Sequence, residues 1–439
     1  MISKGNYTLY MNHLLVVYAF LLPISERALS AIFSIILILF IVRGEYKYYL
    51  KNAIKNKILQ ACLLFFLVHI IWLFGTDDFD YAKTIIDDMK YLLFPIIFLS
   101  FVDKSFSIRI ISAFILGMLF SEVLSYLIYF DVFPHMFELF DYQVYKTHSI
   151  GNPTPFLAHT RYNVLLSIVI AILMYNLLKN FRETPIFINL LATLFIFTAS
   201  FNITIVAGRI GYISYILLMF FTLFLVYKKR IVRVLIPFSL VLFSLLYLSY
   251  QSDGMLTKRI DQTIDSTKKI FSENPDFNSS IGYRISFWIS SVDVIKNNFI
   301  FGVGTGDHMN SVRLSEKDAE RKEILYYLSN SHNEYLKALL QFGIVGFLFF
   351  INIFYQIFKQ NTINEIDINI LYIITIGILI GVISSMFGSK IYLPFLMLMA
   401  SVITSKNSFL VNTESKISFK MIFYYMSFAL ISFIFAIIQ

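Results

Sequence analysis

The sequence predicts an all-α polytopic membrane protein of about twelve or thirteen transmembrane helices with one large helical loop on its outward face. Three observations predict it. The 439-residue chain is 58% hydrophobic and only 15% charged, where a soluble domain averages about 45–50% and about a quarter. Its mean hydropathy is +0.71, and a soluble fold would have to leave much of that apolar surface in water. Apolar runs recur along the chain, and one long polar stretch, roughly 251–331, interrupts them.

The runs fall near 11–24, 28–43, 58–75, 89–102, 110–130, 161–178, 185–200, 210–227, 234–250, 338–358, 368–387, 391–405 and 418–438. The first has Lys4 in front and no small-residue cleavage site behind, so it reads as a retained helix, not a removed signal. The expected organisation is helices over 1–250, the large loop over 251–337 and further helices over 338–439. No internal repeat supports an inverted-repeat transporter. The sole cysteine, Cys62, lies within an apolar run and has no intramolecular partner.

Charge orients the chain. Arg43, Lys47, Lys51, Lys55 and Lys57 cluster after the second run, Lys179 and Arg182 after the sixth, and Lys228, Lys229, Arg230 and Arg233 after the eighth. Intervening loops are acidic or polar, as in Thr76-Asp77-Asp78-Phe79-Asp80. The positive-inside rule therefore puts the N-terminus in the cytoplasm and the 251–337 loop outside, the periplasmic face in a bacterium. Helical spacing is expected at 261–271, 283–296 and 315–327, with a glycine-rich turn at 301–307 between them. That turn, Gly302-x-Gly304-x-Gly306, follows no strand and is not read as a phosphate loop.

The chemistry-bearing residues gather around this loop. Ser331-His332-Asn333-Glu334 precedes the 338–358 run and reads as an S-x-x-E capping box. Ser331 would be the N-cap and His332 would sit in the first helical turn, where the helix dipole disfavours imidazolium. A neutral imidazole near pH 7 is what a general base needs, and Asn333 beside it could orient a hydroxyl. Gly343 and Gly346, on one face of the same run, read as close helix packing. Arg209, behind Ala207-Gly208, and Arg284, one turn before Trp288, are guanidiniums suited to gripping phosphate oxygens. The bland alternatives are an interfacial His332, a snorkelling Arg209 and an Arg284 paired with a loop carboxylate. Arg161, in His159-Thr160-Arg161, is a weaker candidate for the same face, with an interfacial anchor as its bland role. No His/Cys cluster has metal-ligand spacing, and no metal or cofactor is expected.

His332-Asn333, nine residues, then Gly343-x-x-Gly346 resembles the H-[NSQ]-x9-G-x-x-G pattern of the bacterial O-antigen ligase and O-antigen polymerase superfamily. Ala207-Gly208-Arg209-Ile210-Gly211 resembles its arginine segment, and Gly282 to Trp288 the start of its large loop, so that the likeness covers roughly 195–350. The resemblance implies an inverting, metal-independent transferase of the inner membrane with undecaprenyl-diphosphate-linked glycan as donor. His332 would then deprotonate the acceptor hydroxyl, and Arg209 and Arg284 would hold the diphosphate, with Asn333 and Arg161 as helpers. Lipid A-core is the first-choice acceptor, which makes the chain most like the ligase. A polymerase, and then a protein O-oligosaccharyltransferase, are the alternatives, and a lipid-linked oligosaccharide transporter is the alternative outside enzymes.

Overall fold

The computed structural model describes residues 4–139, 142–147, 149–360, 364–384 and 387–408. Among them the chain is helical almost throughout. The first helices are α1 (Lys4–Leu21), α2 (Glu26–Arg43), α3 (Tyr46–Ala53), α4 (Lys57–Ile71), α5 (Phe79–Met89), α6 (Phe94–Phe101) and α7 (Ser107–Tyr129). A small antiparallel hairpin, β1 (Met136–Leu139) and β2 (Tyr142–Lys146), follows and was not expected from the sequence. The bundle resumes with α8 (His159–Asn180), α9 (Ile186–Ile205), α10 (Arg209–Tyr227) and α11 (Ile231–Tyr250). The large loop folds as α12 (Met255–Ile270), α13 (Ser280–Asn297), α14 (His308–Ser315) and α15 (Ala319–Tyr327), and the chain returns through α16 (Glu334–Phe358), α17 (Glu365–Gly381) and α18 (Tyr392–Thr404).

Six of these helices are long and apolar enough to cross a membrane, namely α7 to α11 and α16, or seven if α3 and α4, bent by 92°, count as one span. The runs at 11–24, 28–43, 89–102, 368–387 and 391–405 are also helical, as α1, α2, α6, α17 and α18. Each is shorter than those six, or carries more charge or less hydropathy, so the expectation of about twelve or thirteen spans rests partly on short helices. The last expected run, 418–438, lies outside the described residues.

Burial separates the roles of the long helices. About two thirds of the α8 span is buried, and this helix packs against both α10 and α17. Only 6% of the α11 span is buried although it is the most apolar of the six, as expected of a face turned to lipid. The loop helices have a core of their own, with Phe287, Met309, Val312, Leu325 and Leu340 buried together. They form a cap over one end of the bundle.

The cap is joined to α16 by backbone. Gly343 has φ +60 and ψ −164, a conformation that breaks the helix and is open essentially to glycine alone. In an unbroken helix Ile344 N–H would donate to the Leu340 carbonyl and Val345 N–H to that of Gln341. Here Ile344 N donates to Phe299 O at 2.8 Å and Val345 N to Ile300 O at 3.3 Å. The two freed carbonyls accept from Val303 N at 2.9 Å and Gly304 N at 3.0 Å. The segment 299–304 thus replaces the missing helical bonds, leaving none of these groups unsatisfied. A Cβ on Gly343 would overlap the Ile300 carbonyl, and one on Gly302 the Gln341 carbonyl. The expected packing role of Gly343 is therefore corrected: it is a break that receives the glycine turn of the cap. Close packing does describe Gly346, where a Cβ would meet Phe342 and Val68.

The same turn is tied to the far side of the mouth. Asp307 accepts from Asp77 N and Asp78 N, at 3.0 Å and 2.9 Å, and Thr305 Oγ1 donates to His69 O at 2.8 Å. Residues 299–307 therefore lock the cap between α4 and α16.

Candidate active site

Asn333, not Ser331, is the N-cap of α16: its Oδ1 accepts from Leu336 N at 3.1 Å. Ser331 Oγ instead donates to Asn333 O at 3.2 Å. The capping box fails because Glu334, one residue into the helix, turns inward. Its carboxylate accepts from Phe387 N at 2.8 Å and faces Lys337 Nζ at 3.5 Å, both side chains being buried. His332 consequently lies outside the helix rather than in its first turn. Its φ is +48, and its N–H donates to Asn330 Oδ1 at 3.0 Å. Residues other than glycine rarely adopt this conformation, and they concentrate at functional sites.

The imidazole is half-buried. Burial first, and then the charge of Arg284, hold its pKa below the ordinary histidine value. The neutral form expected from the sequence is thus favoured, by desolvation and a neighbouring cation and not by the first turn of a helix.

Arg284 stands on the second turn of α13, and burial lowers its pKa from the ordinary arginine value, a cost that a bound anion would relieve. Arg209 opens α10. The glycines beside it serve helix packing, since a Cβ on Gly208 or Gly211 would run into Asn163 of α8. Arg209 interacts electrostatically with Arg284 and also with Arg259 of α12. The Nε atoms of Arg209 and Arg259 are buried without a hydrogen-bond partner. Among the described residues none of these three guanidiniums is matched by a carboxylate. Three like charges gathered at one mouth without a counter-ion would favour a multiply charged anion there.

Sequence reasoning missed Arg259. It stands among Lys258, Asp261 and Lys268 on a polar helix, a pattern that reads as a solvated face. The available signal was the amphipathicity of α12, which buries Leu256 and Ile270 and so turns one face to the protein. Arg161 is engaged elsewhere, with its Nη1 at 3.6 Å from Glu26 Oε1. Asn333 spends its carbonyl oxygen on the cap.

No curated protein matches the chain. Residues 194–351 match the family model described as O-antigen ligase, a stretch that runs from α9 into α16 and contains Arg209, Arg259, Arg284, His332 and the Gly343 break. Over that segment this multi-pass membrane chain is similar to the O-antigen ligase and O-antigen polymerase superfamily.

Proposed function

We propose that the chain is an O-antigen ligase, a glycosyltransferase that moves O-antigen polysaccharide from undecaprenyl diphosphate to a sugar hydroxyl of lipid A-core. The observation that carries this reading is the trio of unmatched guanidiniums beside a half-buried histidine held in its neutral form. The site would lie on the periplasmic face of the bacterial inner membrane, which agrees with the charge pattern of the loops.

The chemistry follows from the groups present. The acceptor hydroxyl gives its proton to His332 as its oxygen bonds to the anomeric carbon from the side opposite the leaving group. The bond from that carbon to the diphosphate oxygen breaks, the configuration inverts, and the diphosphate departs with the bonding pair. Arg209, Arg284 and Arg259 take up the growing negative charge, the work a metal ion does at other diphosphate sites. The Asn333 amide would orient the hydroxyl. A positioned base contributes about 10²–10⁴-fold, and one charge-stabilising donor about 10²–10³-fold.

The test is the electrophoretic profile of lipopolysaccharide from a deletion strain complemented with wild type or His332→Ala. The ligase reading expects core without O-antigen, with long polymer left on its lipid carrier, in the His332→Ala strain. Core bearing a single repeat would assign the polymerase reaction instead. Full rescue by His332→Ala would remove the transferase reading altogether.

A further inference from the structure

At the end of the bundle opposite the cap, α4, α16 and α18 enclose a cleft of about 810 Å³. Lys55, Lys57, Lys359 and Lys406 stand on its walls, and among the described residues no carboxylate lines it. All four lysines are exposed. Within α16 the cleft begins only at Asn352, well past the start of the helix at Glu334, which puts it about 27 Å of helix rise from the end that carries Asn333 and His332. It is therefore a second site, and its argument is independent of the transferase reading.

The cleft is built as more than a ring of terminal lysines. Asn352 and Gln356 on the last turns of α16 and Gln360 just past its C-cap recur every fourth residue, a polar stripe at the end of a helix otherwise suited to lipid. They are chained together, Gln356 Nε2 donating to Asn352 Oδ1 at 3.0 Å and Gln360 Nε2 to Gln356 O at 3.1 Å. Facing them, Asn56 caps α4 and donates from Nδ2 to Thr404 Oγ1 at 3.2 Å, which joins α4 to α18 across the cleft. Farther along α4 the lining turns apolar at Ala61 and Leu64, joined by Leu99 of α6, and Leu64 is 44% exposed. Cations and amides at the mouth with an apolar floor match a phosphate headgroup attached to acyl chains.

The adjoining α3 supports a lipid over a soluble phosphate. It meets α4 at 92°, presents Tyr46 and Tyr48 to its surroundings and carries Lys47 and Lys51. This is the make-up of a helix lying in the membrane interface. We infer that the cleft binds the headgroup of an anionic phospholipid from the leaflet opposite the cap, which the loop charges assign to the cytoplasmic side.

The test is native mass spectrometry of the full-length protein in neutral detergent with added dioleoylphosphatidylglycerol, dioleoylphosphatidylcholine or inorganic phosphate. Wild type is expected to retain phosphatidylglycerol in preference to phosphatidylcholine. Replacement of all four cleft lysines by glutamine should lower that retention about tenfold or more. The pair Lys47→Gln/Lys51→Gln, with charge lost from α3 outside the cleft, should retain it as wild type does. Should the fourfold variant not remain monodisperse, the pair Lys57→Gln/Lys359→Gln provides the same comparison. Equal retention of the two lipids by wild type, undiminished retention by the cleft variants, or an equal loss in the α3 pair would overturn the proposal. Displacement of phosphatidylglycerol by inorganic phosphate would assign the cleft to a soluble phosphate and also overturn it.

Discussion

The two ends of the bundle handle charge differently. Opposite the cap, outside the lysine-lined cleft, ion pairs brace the helix ends: Lys104 meets Asp367 at 2.6 Å, and Lys179 and Lys228 both approach Glu365, at 3.5 Å and 3.7 Å. At the cap mouth, Arg209, Arg259 and Arg284 converge with no carboxylate among the described residues to match them. Paired lysines at a helix end serve topology and anchoring. Unmatched, half-buried arginines beside a histidine in a rare backbone conformation are a cost that the fold alone does not repay, and under the proposed function they would serve the diphosphate.

The largest break in this comparison is expected from His332→Ala. It should lower glycan transfer by about 10²–10⁴-fold with the protein still folded and inserted, whereas Lys179→Gln at the other end should leave the rate unchanged; transfer by the purified variants checks both. Arg284→Lys comes next, because it keeps the charge and loses the bidentate fork. A rate loss of about 10²-fold in the same assay would mark gripping of the diphosphate over simple attraction.

Arg284→Gln sharpens the comparison through pH. The Arg284 charge helps to hold His332 below its ordinary pKa, so its removal raises that pKa. Only neutral His332 accepts a proton, and the acid limb of the pH–rate profile should therefore move to higher pH in the variant. An unmoved limb would mean that His332 does not set it.

Gly343→Ala tests the junction that carries the site. The substitution places a side chain in a conformation costing about 1–3 kcal/mol and against the Ile300 carbonyl. A lowered Tm and faster proteolysis of the cap are expected. The smallest effect belongs to Arg161→Ala, which removes an exposed pair with Glu26 and should change stability by less than about 1 kcal/mol in thermal unfolding.

Much of this arrangement was legible in the sequence. Apolar runs located the helices, and the isolated polar groups Arg209, Arg284 and His332 stood out against them. What escaped depends on partners distant in the chain. Periodicity carries α16 straight through Gly343, since nothing local announces that 299–304 will supply the broken hydrogen bonds. The S-x-x-E spacing favours Ser331 as cap until Phe387 N–H claims the Glu334 carboxylate. Arg259 looked solvated because a polar helix hides which of its faces meets the bundle. In each case local chemistry gave a sound first choice and a tertiary contact outweighed it.

The most direct test of the account is the rate of glycan transfer from undecaprenyl diphosphate to lipid A-core by purified full-length protein, comparing His332→Ala with Lys179→Gln. The account predicts near-complete loss in the first, at unchanged Tm, and wild-type turnover in the second. Turnover that survives His332→Ala, or falls equally in both variants, would contradict a catalytic site at the cap mouth.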